Sequence, residues 1–259
     1  MWLLSLACSP DPTPALLDSD PALSWESAEP VWSAQDVEAA ALTLMQSPIP
    51  RVDHLTQDYL VLMAQGTASC PGLSNSIKDN AVYGCETDAG MYFSGVSDYF
   101  DETRDGQVYR SLAGDFLIRD TLGNTLDWGA GWEIYFGDGA SQFRWMGSTV
   151  WSGRPATVDG ISVTLSGTQD QGAFQVSGGM KLEQGTVELT LERDADCPLA
   201  KGTLSVRGPD KRWYRTELDC SGCGPLNFEG QDLGQACIDP TPLLDTLEAP
   251  LMDADWSNL

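Results

Sequence analysis

Basic residues are scarce in this chain. Lys and Arg number 14 against 38 Asp and Glu, which gives a formal charge of −24 over 259 residues and a pI near 4.1. A nucleic-acid binder needs a basic surface to displace counterions from phosphates, so that class is excluded. The same charge repels an anionic membrane surface. Histidine is nearly absent. The single one, His54, cannot build a multi-histidine metal site, and its place at the start of a predicted helix suits a solvated residue better than a catalytic base. No apolar run approaches the ~18 residues of a membrane-spanning helix. Helical segments of crossover length are missing between the strand-like runs, which excludes a parallel sheet. What is present is an apolar fraction of 42%, enough for a substantial core, together with seven cysteines.

Cys8 stands apart from the other six. It follows the apolar run Trp2-Leu3-Leu4-Ser5-Leu6-Ala7 and precedes Ser9-Pro10-Asp11-Pro12-Thr13-Pro14, where apolar character stops. Residues 1–8 therefore resemble the end of a bacterial lipoprotein signal, which implies export, cleavage and a lipid on the Cys8 thiol. A short hydrophobic terminus with an ordinary free thiol is the alternative.

The remaining cysteines, at 70, 85, 197, 220, 223 and 237, are even in number, as a disulfide framework in an exported protein requires. A Cys70–Cys85 bond would close a loop rich in Pro, Gly, Ser and Asn, restricting the unfolded chain by about 3 kcal/mol in the entropy model. A turn at Gly208-Pro209-Asp210-Lys211 folds Cys197 opposite residue 222. Cys220 shares the face of 222 and Cys223 points the other way, so the expected pairs are Cys197–Cys220 and Cys223–Cys237. Zinc on Cys220-Ser-Gly-Cys223 is the competing reading. A ribbon-type zinc site wants a second close pair, which Cys197 and Cys237 do not form in sequence.

Composition divides the chain into four parts. Residues 9–32 combine prolines with acidic residues and read as an extended tether. Residues 33–238 read as a single disulfide-stapled domain, and 239–259 as an acidic tail in which Leu243, Leu244 and Leu247 could form a short helix on a sheet edge. Within the domain, Ser33 and Asp36 approximate a capping box ahead of a helix that Pro48 and Pro50 end. A second helix is predicted from an Asp53 cap to Gly66. From about residue 90 to 219, apolar and polar residues alternate. The clearest case is Leu126–Phe136, where every even position is apolar and the odd ones are Asp127, Gly129, Gly131, Glu133 and Tyr135. The fold class expected is α+β, mainly β: a curled antiparallel meander of about eight or nine strands with two N-terminal helices packed on it. Several strands place a glycine on their own apolar face, namely Gly95, Gly114, Gly147, Gly167 and Gly178. Aligned across strands, these would let the sheet bend sharply over the helices; the alternative is that glycine is merely abundant, at 26 of 259 residues.

Few residues point to chemistry. Asp101, Thr103, Asp105 and Gln107 follow the opening of a calcium loop, but Leu112 stands where such a loop has its bidentate Glu. An acidic hairpin turn with Asp105-Gly106 at its tip accounts for the same residues. Nine tryptophans invite a carbohydrate reading, in which Trp151 and Trp213 are the freest to stack on sugars. Trp128 and Trp132 belong to the core by alternation. No pair of carboxylates is singled out as acid and nucleophile, and no catalytic group is assigned.

The segments Leu62–Gly72, Tyr83-Gly84-Cys85 and Tyr92-Phe93-Ser94-Gly95, with the Cys-rich end, resemble uncharacterised secreted or lipid-anchored Cys-rich bacterial proteins. The resemblance implies export and disulfides and brings no activity. The expected function is a non-enzymatic surface lipoprotein, at an outer membrane or cell surface or otherwise secreted or periplasmic, that acts as a binding or structural module. It would meet a protein or glycan there and touch the membrane only through Cys8. A carbohydrate-binding or glycan-cleaving protein is the alternative, and a calcium-dependent adhesion module is third.

Overall fold

A computed structural model describes residues 29–71, 80–137, 140–151, 153–166 and 173–252. Helix α1 (Ala34–Met45) starts at the expected capping box: the Ser33 hydroxyl accepts from the Asp36 amide and the Asp36 carboxylate accepts from the Ser33 amide. A hydrogen bond that the Ser33 hydroxyl donates to the Asp36 carboxylate, and then the one from the Ser33 amide, hold that carboxyl below its usual range. Helix α2 (Val52–Ala64) begins two residues earlier than a cap at Asp53 would place it. Its N-cap is Arg51, and Asp53 lies in the first turn. There the carboxylate meets the positive end of the helix and accepts from Arg51 Nε at 3.0 Å, which favours it over a capping position.

The strands that follow are β1 (Asn80–Glu86), β2 (Tyr92–Arg104), β3 (Gln107–Arg119), β4 (Thr125–Gly137), β5 (Ala140–Trp151) and β6 (Arg154–Ser166). After them come β7 (Ala173–Leu182), β8 (Gly185–Asp194), β9 (Cys197–Arg207), β10 (Trp213–Leu218), β11 (Cys223–Phe228) and β12 (Gln231–Cys237). Each pairs antiparallel with its neighbours in sequence, forming one twelve-stranded meander edged by β1 and β12. The count exceeds the eight or nine expected because β1 precedes, and β11 and β12 follow, the stretch of about 90–219 read as alternating. β12 buries Ala236 alone, and β11 carries Gly224 and Pro225.

Alternation sends one set of side chains inward. A typical row runs Leu112, Trp132, Trp145, Ile161 across β3 to β6, all buried. Helices cover this face. Tyr59 of α2 lies 5.2 Å from the Phe116 ring and shares a 2.8 Å hydrogen bond with Ser97, while α1 packs on β8, β9 and β12. Trp32, at the end of the stretch read as tether, packs against Tyr214 of β10 with ring centroids 5.3 Å apart. The region read as an acidic tail holds a third helix, α3 (Thr241–Met252). It buries Leu243, Leu244, Leu247 and Leu251 against the middle strands β5 and β6 rather than at an edge, and Arg193 binds its Asp245 and Glu248. The outward positions include Asp115, Asp127, Glu133, Arg144, Glu188 and Glu192. Such a face is hydrated and unlike the apolar band of a membrane barrel.

All three expected disulfides are present: Cys70–Cys85, Cys197–Cys220 and Cys223–Cys237. The two sulfurs of Cys220-Ser-Gly-Cys223 are therefore each bonded elsewhere, and the zinc reading falls. Cys223 and Cys237 are also direct register partners on β11 and β12.

Inward glycines bend the sheet. Gly114 and Gly147 flank Ala130 in one register row, with φ of +151° and +107°. A Cβ on Gly147 would lie 2.4 Å from the Gly129 carbonyl oxygen, so neighbouring backbones approach there as no other residue allows. Gly95 and Gly178 adopt similar φ one step to either side of that row; Gly167 lies outside the described residues. Gly147→Ala is expected to lower stability by about 2–3 kcal/mol, read as a shifted urea midpoint. Gly129→Ala, whose Cβ meets nothing nearer than 3.7 Å, should shift it little.

Candidate functional site

The alternation that buries Trp132 and Ile134 sends Glu133 and Tyr135 to the opposite, outward face. Register then gathers partners from three more strands. Tyr109 of β3 pairs with Tyr135, which pairs with Gln142 of β5; one row away, Ser111 pairs with Glu133 and Glu133 with Arg144. Phe100 of β2 stands opposite Ser111. Together these residues line an outward cleft of about 450 Å³, with Arg110 and Ile134 at its base.

The Tyr109 and Tyr135 rings are 4.9 Å apart and inclined at 48°. Inclined rings at that distance are mutually attractive and leave parts of their faces open. The Tyr109 hydroxyl donates to Gln107 Oε1 at 3.1 Å, which orients its ring. Arg144 Nη1 donates to Glu133 Oε1 at 3.4 Å, and both side chains are more than half exposed. An ion pair so exposed is weak and exchanges partners readily. Arg110, by contrast, is buried, and its Nε donates to Asp101 Oδ1 at 3.1 Å. The cleft thus has rigid aromatic walls and adaptable polar groups, the combination that holds a ring-bearing polar ligand. Among the described residues one carboxylate, Glu133, lines it, where glycoside hydrolysis uses a pair.

The residues singled out from sequence lie elsewhere. Trp213 opens β10, half-buried, with the Arg207 guanidinium over its ring at 5.8 Å. That cation stands over one face of the ring. Trp151 ends β5 in register with Leu126, and its side chain is outside the described ones. Asp101 and Thr103 belong to the regular strand β2, Asp105-Gly106 form a two-residue turn with φ of 52° and 79°, and Gln107 begins β3. The hairpin reading holds for this segment: Arg110 takes the Asp101 carboxylate, and the four residues do not converge as a calcium loop would need. Among the described residues no group of three or more His, Cys, Asp or Glu side chains gathers to hold a metal. Cys8 lies outside the described residues. His54 is exposed on the first turn of α2. The cleft aromatics were missed, although a tyrosine at the polar parity of an alternating strand, as at 135, is a usable signal.

Behind the cleft, Tyr99 shares the inward face of β2 with Asp101. Burial, and then the Asp101 charge, push its phenol up to about 12. Comparison with protein families, with curated proteins and with solved structures finds no match to this chain, so the reading of the cleft rests on its own geometry.

Tyr99 predicts an alkaline transition. Unfolded tyrosine ionises near pH ~10, so between about pH 10 and 12 the unfolded chain sheds a proton that the native one keeps, and stability falls as pH rises. Denaturation midpoints across that window should decline in the natural protein. The decline should be shallower in Tyr99→Phe, and an identical slope would contradict the assignment.

Proposed function

We propose that this protein is an exported, non-enzymatic binding module, anchored at an outer membrane or cell surface through a lipid on Cys8, that receives carbohydrate in its outward cleft. The observation that carries the reading is the pairing of Tyr109 with Tyr135 at 4.9 Å beside Glu133, Gln142 and Arg144. Aromatic rings offer a face to the C–H side of a pyranose, and the carboxylate, amide and guanidinium match its hydroxyls. Glu133 is the one carboxylate lining the cleft among the described residues, which favours binding over cleavage. Three disulfides are compatible with an oxidising compartment. A net charge of −24 opposes nucleic-acid or direct lipid contact and does not oppose an uncharged glycan.

A glycan array followed by calorimetry tests the cleft. Tyr135→Ala should weaken binding about tenfold and Tyr135→Phe should preserve it, while Trp213→Ala should have no effect. Binding that survives Tyr135→Ala unchanged, or no binding anywhere on the array, rejects the reading. Intact mass of protein from its native membrane fraction tests the anchor. A diacylglycerol adduct on Cys8 is expected; a chain that retains an unmodified Cys8 contradicts it.

A further inference from the structure

The outward face continues past the cleft as a second polar tract on β6 to β9. Two adjoining openings of about 550 and 680 Å³ share Ser177, Thr190 and Thr203 in their walls. Strand register sets these hydroxyls in a single transverse row with Ser162: Ser162 pairs with Ser177, Ser177 with Thr190, and Thr190 with Thr203. The row does not stop at Ser162. That residue pairs with Arg144, Arg144 with Glu133, and Glu133 with Ser111, all three of which line the aromatic cleft. Strands lie about 4.8 Å apart, so a row from β3 to β9 is roughly 30 Å long.

Two properties of the row define what it can hold. Among the described residues, no hydrogen bond within the protein engages the hydroxyls of Ser162, Ser177 or Thr190, whereas Thr203 donates to Glu217 Oε2 at 2.9 Å. Hydroxyls of the first kind can both donate to and accept from a ligand. The charges beside the row are acidic or neutralised. Lys201 Nζ lies 2.7 Å from Glu192, Arg215 Nη2 lies 2.8 Å from Glu217, and Asp159 and Glu188 add negative charge. A polyanionic chain would be repelled, and an uncharged polyhydroxylated one would not. The sheet is also curled, so a track across its strands turns around the body and suits a flexible chain.

We infer that the ligand is an uncharged, flexible, linear oligosaccharide of several units. One ring rests against Tyr109 and Tyr135, and the succeeding units cross the strands over Ser162, Ser177 and Thr190. The inference rests on the carbohydrate reading of the cleft and extends it from a single sugar site to a chain of subsites.

Calorimetry with size ladders separates the two. The probes are oligomers of glucose in α and β linkage, of mannose, of N-acetylglucosamine and of galacturonate, from one to about seven units, a span chosen to match the track. At least one neutral ladder is expected to gain about tenfold or more in affinity between two and about six units. The double variant Ser177→Ala with Thr190→Val should remove that gain while leaving the disaccharide's affinity unchanged. A plateau at the disaccharide, or equal losses for short and long oligomers in the double variant, overturns the extended track and leaves the cleft reading intact if Tyr135→Ala still weakens the disaccharide. Tighter binding of galacturonate than of every neutral ladder also overturns it. Failure of all ladders to bind overturns both.

Discussion

Everything in this structure depends on covering the apolar face of a wide, open sheet. Twelve strands in sequence order turn Leu112, Trp128, Trp132, Trp145, Ile161 and their neighbours to one side. A flat sheet of that width would need a second layer as broad as itself. Glycines at inward positions solve the problem by letting adjacent backbones close in, as Gly147 does on Ala130, so that the sheet curls and three short helices suffice. The helices in turn need the sheet. Each has a single apolar stripe, and a helix of 12 or 13 residues is marginal in water without a surface to bury it.

The covalent bonds fall where such a design is weakest. An open meander has two edges, and edges fray or recruit other strands. Cys70–Cys85 ties the segment after α2 to β1, one edge, and Cys223–Cys237 staples β11 to β12 at the other. At the second edge α1 adds a further tie, because Glu38 Oε1 accepts from the Cys237 amide at 2.6 Å. Cys197–Cys220 joins the start of β9 to the chain just past β10. The central strands, held on both sides and covered by α3, carry no disulfide.

With stability secured on the inner face, the outward face is free to vary in chemistry. It is largely polar, with Val96 and Met146 among its exposed apolar residues, and it carries the aromatics at 100, 109 and 135: burying them would be favourable, yet the strands turn them toward solvent. The Asp101–Arg110 pair, with a buried guanidinium and an exposed carboxylate, links β2 to β3 behind them and ties the hairpin that presents Tyr109. The strong negative charge keeps the whole surface solvated and disfavours polyanions.

Much of this was legible from single residues and local spacing. The Ser33–Asp36 cap, the antiparallel meander, the inward parity of Trp128 and Trp132, and the Cys197–Cys220 and Cys223–Cys237 pairs are all set by neighbours within one helix turn, one strand or one hairpin, where covalent geometry leaves few options. The site was not legible in that way. Tyr109, Tyr135 and Gln142 meet only because successive hairpins fix which residue of one strand stands beside which of the next. A slip of one residue at any turn would send one of them to the other face. The same holds for α3 beneath β5 and β6, and for the hydroxyl row from Ser162 to Thr203. Alternation along the chain determined which side chains face outward. Tertiary register decided which of them are neighbours, because it is the sum of turn geometries that no single segment contains.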